Sequence, residues 1–328
     1  NEAGHAVGID LGVNYILTVL TDLRGTIKKE RRVPLQRMDF DYVWQELTQS
    51  IRWAIQGAPK SPYGIVGIGI GVPGLISPKG EVLSAPNLKW RNIDLKNKIE
   101  QAFQLPVAIE NEANAGAIGE RSFGDTRHVK DMIYVSAGIG IGVGIIVNNA
   151  LYRGFSGFSG EMGHMTIHME GMPCTCGNRG CWELYASENA LLSEASRRFS
   201  NVYESSENHA VHKETTLDTL IHQAEKGEPR VIELFQEVGK YLGVGIANVI
   251  NTFNPEIVMI GNRLSLIQPW IEQSVLNSVA ERSLPYHHKK VNIEFSKLAM
   301  KSAAIGAAFL AIQDFFAQSK ATVEEGWS

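Results

Sequence analysis

Two stretches of this chain share one form, and that repetition constrains the fold more than any other feature. HAVGIDLGVNYILTVLTD (residues 5–22) and MIYVSAGIGIGVGIIV (132–147) each contain a short apolar run, a glycine-centred turn and a second apolar run. Apolar runs of this length bounded by glycine read as β-strands, so each stretch forms a strand–turn–strand unit. Further runs of the same kind are IVGIGIGVPG (65–74), VAIEN (107–111) and IVMIG (257–261). Between them lie patterns near helical spacing. In DYVWQELTQSIRWAI the apolar residues are Val43, Trp44, Leu47, Ile51 and Ile55. EPRVIELFQEVGKYLGVGIANVINTF (228–253) reads as a longer helix ending before Pro255, because the residue ahead of a proline disfavours helix. SAAIGAAFLAIQDFF (302–316) closes the pattern.

Strands alternating with helices make this an α/β protein. Its 328 residues are long for one core, so two domains are expected. The two strand–turn–strand units, each heading one half, predict two related lobes around a cleft. The first is placed at residues 1–115, with a C-terminal helix at 300–328 packing back on it. The second, larger lobe is placed at 116–299. The polar stretch NVYESSENHAVHKETT (201–216) reads as an exposed loop.

Charge and composition narrow the function classes. A formal net charge of −4 offers no basic stripe for nucleic acid, so any DNA contact requires a module outside this segment. The apolar stretch at 132–147 falls short of the ~20 residues of a membrane helix, and its glycines read as a turn. The opening NEAGHAVGID lacks a basic region followed by an apolar run, so it does not read as a signal peptide. It starts on a strand without an initiator methionine, which points to a segment of a longer protein. Three closely clustered cysteines do not make a disulfide framework and fit a reducing cytoplasm.

Those three cysteines carry the most specific signal. In EMGHMTIHMEGMPCTCGNRGCWE (161–183), His164, Cys174, Cys176 and Cys181 form H-x9-C-x-C-x4-C. One imidazole and three thiolates complete a closed tetrahedral shell, which suits a structural zinc. Gly177 and Gly180 let the loop fold tightly. The alternative is free cysteines beside an unrelated histidine, and the density of the cluster weighs against it. His168 is off the pattern and reads as a surface residue. A second polar stretch, IENEANAGAIGE (109–120), places Asn111 and Glu112 at the end of a strand. Glu112 could be a catalytic base, a ligand clamp or a helix-capping carboxylate.

Together, SGEMGHM, CTCGNRGCWE and IENEANAGAIGE resemble the ROK family of sugar kinases and sugar-responsive repressors, and the similarity runs over essentially the whole chain. The resemblance implies a two-lobed actin-like, ribonuclease-H-like fold with a zinc-stabilised loop and a sugar between the lobes. By position, it assigns the sugar to Asn111, Glu112, Glu161, His164 and Glu183. The loops around Gly74 (GVPGLIS) and Asn87 (APNLKW) would close over it. His164 would take zinc on one nitrogen and the sugar on the other.

The nucleotide-binding parts depart from the family's kinases. Their Asp-x-Gly-Gly-Thr turn is DLGVN here, with Val13 and Asn14 in place of Gly-Thr. Their Gly-Thr-Gly-x-Gly-x-Gly loop is SAGIGIGVG, beginning Ser136 and Ala137. Their Gly-Gly-Gly loop is IGNRL, with Asn262 and Arg263. Close backbone approach to a nucleotide needs missing side chains, so no functional ATP site is expected. Kinases of the family also carry aspartate as general base where Glu112 stands. One added methylene shifts the carboxylate by over an ångström, and a misplacement of ~1 Å can cost about 10²-fold in rate. That methylene would reach toward the hydroxymethyl group of a hexose, which xylose lacks.

The resemblance therefore implies a non-enzyme, the effector-binding part of a cytoplasmic repressor. GIDLGVNYI and IENEANAGAIGE look most like the family's xylose-responsive repressors of Gram-positive bacteria. The implied partners are a monosaccharide, D-xylose above others, and operator DNA held by an upstream helix-turn-helix in a homodimer. The alternatives are a sugar kinase with degenerate ATP loops and a structural protein that keeps only the zinc knot.

Overall fold

The first strand–turn–strand unit is an antiparallel hairpin of β1 (His5–Leu11) and β2 (Tyr15–Asp22), with Asp22 opposite His5. In this computed structural model, residues 3–203 and 215–325 are described. Most of the polar stretch read as an exposed loop falls at 204–214, outside the described residues, as do 326–328.

β3 (Ile27–Pro34) pairs antiparallel with β2. β4 (Ile65–Val72) pairs parallel with β1, and β8 (Val107–Asn111) with β4. The sheet order is β3-β2-β1-β4-β8. Short strands β5 (Leu75–Ile76), β6 (Val82–Ala85) and β7 (Trp90–Ile93) make a small antiparallel sheet. The second large sheet contains β9 (Met132–Ala137), β10 (Ile141–Val147), β11 (Ala150–Leu151), β12 (Ile257–Gly261) and β13 (Asn292–Phe295), in the order β11-β10-β9-β12-β13. Numbered within its own sheet, each runs 3-2-1-4-5. The duplication visible in the two glycine turns is thus a duplication of topology.

Helices α1 (Phe40–Gln56), α2 (Leu95–Phe103), α3 (Glu112–Phe123) and α10 (Ser302–Glu325) accompany the first large sheet. The remaining helices lie between β11 and β13. They are α4 (Glu183–Ala186), α5 (Glu188–Tyr203), α6 (Leu217–Glu225), α7 (Pro229–Phe253), α8 (Gln268–Arg282) and α9 (Pro285–His288). Asp39 starts α1 by accepting from the Tyr42 amide at 3.1 Å. The helical spacing of Val43, Leu47 and Ile51 puts them in one core with Val7, Ile9, Ile68 and Ile70, one side of each strand. Ala6 and Val66 pack with Ala308 and Ile312 of α10. There α10 lies on the strands at backbone distance. A Cβ on Gly8 would meet the Ala304 carbonyl oxygen at 2.0 Å, and one on Gly69 the Ala307 oxygen at 1.8 Å. By length and composition, Ala299–Gln318 could cross a membrane, but half of it is buried and its alanines pack as described, the pattern of a core helix.

The chain divides into two compact units. One is Asn1–Tyr134 with Gly144–Gly160 and Met300–Ser328, and the other is Val135–Val143 with Glu161–Ala299. A boundary after residue 115 would cut α3 in its second turn, and this division corrects that placement. A helix forms cooperatively, so it stays in one unit to its end.

Candidate functional site

In the first unit, Asn111 holds the end of β8 against a turn. Its Oδ1 accepts from the amides of Ala113 (2.9 Å) and Asn114 (3.1 Å), capping α3, while its Nδ2 donates to the Gly74 carbonyl at 2.9 Å. Gly74 has φ +122°, and a Cβ there would sit 2.2 Å from the Ser84 oxygen, so only glycine fits. Asn87 lies exposed in the one-turn 3-10 helix Pro86–Leu88. Glu112 is the first residue of α3, where a carboxylate complements the helix dipole. Its charge also reaches Asp10. Burial first, then Glu112, push the Asp10 carboxyl up to about 8, against a hydrogen bond from Tyr15 and the charge of Arg32. Tyr15 donates to Asp10 Oδ2 at 2.6 Å, and Asp10 Oδ1 is buried with no hydrogen-bond partner among the described residues.

In the second unit, the cysteine loop brings its four ligand atoms within 4.8 Å of one another. Cys176 and Cys181 sulfurs are 3.7 Å apart, and Cys174 Sγ is 3.7 Å from His164 Nδ1. A tetrahedral ion with bonds of about 2.3 Å to sulfur and 2.0 Å to nitrogen requires separations of roughly 3.5–3.8 Å, so these donors fit a metal such as zinc. Gly180 makes the loop possible: φ is +69°, and a Cβ would meet the His168 carbonyl oxygen at 1.7 Å. His168 is exposed and stacks on Tyr185, with ring centroids 6.1 Å apart.

Glu183 Oε1 sits 3.3 Å from His164 Nδ1 and 3.6 Å from Cys174 Sγ. The nitrogen that faces the thiols therefore also faces Glu183, while Nε2 lies toward Glu161 at 4.0 Å. Partial burial raises the half-exposed Glu161 carboxyl, opposed by His164 and reinforced by Glu183. Glu161, His164 and Glu183 thus form one cluster in this unit, as Gly74 and Asn111 do in the other.

A side chain covers one glycine in each of two altered loops, Gly12 and Gly138. A Cβ on Gly12 would lie 2.4 Å from the Tyr15 ring, so that ring covers the DLGVN turn. A Cβ on Gly138 would lie 2.8 Å from Asn262 Nδ2. That amide donates to Ser136 Oγ at 3.0 Å, joining SAGIG to IGNRL. Asn262 has φ +65° and ψ −159°, a backbone conformation suited to glycine, and its Oδ1 accepts from the Arg263 amide at 2.8 Å. Arg263 Nε donates to both oxygens of the buried Glu188 at 2.9 and 2.7 Å. Reading the sequence missed Tyr15 as a cover, and also Glu110 and Arg153, which are joined by two hydrogen bonds. The available signal for Glu110 was a carboxylate at the end of an otherwise apolar strand, which needs a partner if buried.

Residues 6–314 match the ROK family. The chain belongs to the ROK family. This ROK protein is 41% identical to the xylose repressor of Bacillus spizizenii over 314 residues, 96% of this chain and 78% of the relative. The structure of a ROK family glucokinase from Streptomyces griseus in complex with glucose and AMPPNP is similar at a TM-score of 0.84 and 30% identity. It covers 94% of this chain and 100% of that one. A ROK family transcriptional regulator, a homologue of the E. coli MLC protein, gives 0.80 and 29%, covering 96% and 79%. The fold of this ROK protein is accordingly that of the family's sugar kinases, shared by repressors and enzymes alike.

Proposed function

We propose that this chain is the effector-binding part of a sugar-responsive transcriptional repressor whose effector is D-xylose. In this reading Asn111, Glu112, Glu161, His164 and Glu183 offer the paired donors and acceptors that vicinal hydroxyls need, and the Gly74 and Asn87 turns close over the sugar. Zinc at His164, Cys174, Cys176 and Cys181 braces the segment carrying Glu161 and Glu183. With the metal on Nδ1, His164 offers Nε2 to the sugar. Operator DNA is bound through a helix-turn-helix outside this segment, in a cytoplasmic homodimer matched to a two-fold operator. Sugar lowers operator affinity, and by linkage the operator lowers sugar affinity by the same factor.

The Asn262–Ser136 hydrogen bond carries the choice of a repressor over an enzyme. It supports the reading that loops used for phosphates in kinases here bind each other. Identity to the xylose repressor across 96% of the chain supports the choice of sugar. The second reading, a sugar kinase, is favoured by the likeness to the Streptomyces griseus glucokinase. A thermal-shift panel of pentoses and hexoses, each with and without ATP, separates the two. A rise in melting temperature with xylose and no further effect of ATP is expected. Sugar-dependent ADP production would overturn the proposal.

A further inference from the structure

We infer that Glu110 and Arg153 form a latch that sets the approach of the chain to Glu161, making both positioning residues for effector recognition. The inference rests on the sugar-binding reading of Glu161 given above.

Glu110 is the penultimate residue of β8, 8% exposed, and both its oxygens are engaged twice. Oε1 accepts from the Asn111 amide at 2.9 Å and from Asn114 Nδ2 at 3.0 Å. Oε2 accepts from Arg153 Nε at 3.0 Å and Nη2 at 2.7 Å. Four donors converge on two acceptor atoms, so only a carboxylate satisfies them. A glutamine would turn its NH₂ toward another donor on one side or the other. The two-pronged contact likewise requires the guanidinium fork, which lysine lacks.

Arg153 stands at the neck of a closed loop. Its carbonyl accepts from the Ser159 amide at 3.1 Å, and Ser159 Oγ donates to the Tyr152 carbonyl at 2.5 Å. Within this segment Gly154, Gly157 and Gly160 all have positive φ, and Phe155 is fully exposed. Such a segment has many backbone conformations open and little burial to select one. The Glu110 pair supplies the selection. It fixes Arg153, Arg153 fixes Ser159, and Glu161 follows two residues later. The carboxylate that orients the amide of Asn111 thereby also anchors the segment leading to Glu161. Every group that makes these hydrogen bonds belongs to the first unit, which this segment leaves at Gly160; Glu161 is the next residue and opens the second unit's segment.

The test is a calorimetric titration of D-xylose into the parent chain, Glu110→Gln, Arg153→Gln, the double variant and Arg153→Lys. Melting temperatures and the rate of chymotryptic cleavage after Phe155 are measured alongside. Each glutamine variant should bind roughly tenfold more weakly, and the double variant no more weakly than the singles, the mark of one shared interaction. Arg153→Lys should fall between, and cleavage should accelerate in all four. Losses that multiply in the double variant, or unchanged affinity with a lowered melting temperature, would overturn the inference. Arg153 is half-exposed, so Arg153→Gln keeps the test open if Glu110→Gln does not fold. If the parent binds no pentose or hexose, the sugar reading fails by itself and cleavage judges the latch: a faster rate supports it, and an unchanged one rejects it.

Discussion

Asn111 ties two elements with one side chain, its Nδ2 donating to the Gly74 carbonyl at 2.9 Å while its Oδ1 caps α3. Cap and tie respond to different substitutions. Asn111→Ala removes both and should cost about 1–2 kcal/mol. Asn111→Asp keeps the capping oxygen but sets a carboxylate oxygen against the Gly74 carbonyl, so it should melt close to the parent while losing sugar affinity. Melting curves and xylose titrations of the two variants check this. Full affinity in Asn111→Asp would remove the tie from the binding machinery.

The cysteine loop gives a prediction about metal content. Burial, then the neighbouring thiols, push the Cys181 thiol up to about 12, and burial also raises Cys174. A cation among these groups reverses the cost of deprotonating them. Cys176→Ser should drop the metal stoichiometry from one towards zero. Chelation should lower the parent's melting temperature and leave that of the variant unchanged. Saturation at 100-fold over Kd corresponds to about 2.7 kcal/mol of stabilisation. Elemental analysis decides: unchanged stoichiometry removes Cys176 from the ligand set.

Asp10 makes stability depend on pH. Its native pKa of about 8 lies above the ordinary value of 3.8, so the native state keeps a proton that the unfolded chain has released. This contribution is complete below about pH 4, declines as pH rises and is lost above about 8, with a slope of at most about 1.4 kcal/mol per pH unit. Asp10→Asn should flatten the dependence of urea stability between pH 5 and 8. Equal slopes in parent and variant would place the proton elsewhere.

Arg263 and Glu188 are both buried and paired at 2.7 Å. Arg263→Ala removes the guanidinium that pairs with a buried carboxylate, and a loss of about 3–5 kcal/mol is expected. Denaturant titration measures it. A loss below about 1 kcal/mol would mean that the second unit does not depend on the pair.

Glu112 bears on selectivity. If Glu112 clamps the sugar as proposed, Glu112→Asp withdraws its carboxylate from the space a hexose hydroxymethyl needs, so affinity for glucose should rise relative to xylose, with no ADP formed. Calorimetry with both sugars tests it, and an unchanged ratio would reject a role for that methylene.

The parts of the molecule legible in the sequence are those that local patterns specify. Both glycine-turn units and helices α1 and α7 form where apolar spacing places them. β3 escaped that reading because IKKERRVP is an exposed, charged edge strand with no apolar run. His164, Cys174, Cys176 and Cys181 lie within one short stretch, so their spacing is itself the signal. Glu110 and Arg153 are 43 residues apart, and Asn262 and Ser136 are 126 apart. No periodicity links such pairs; only the strand order brings them together. Asn111 illustrates a second limit, since its residue type fits a sugar ligand and a helix cap equally well.

The seat of α10 on Gly8 and Gly69 has a consequence for biosynthesis. This helix follows the whole second unit in chain order, yet it covers strands made before that unit. On the ribosome, Ala6 and Val66 lack their α10 partners until Ala308 and Ile312 emerge. A nascent chain halted just short of Ser302 already contains every residue of the second unit and still presents a bare apolar sheet face in the first. Chaperone dependence of this protein should therefore concentrate in that interval of translation.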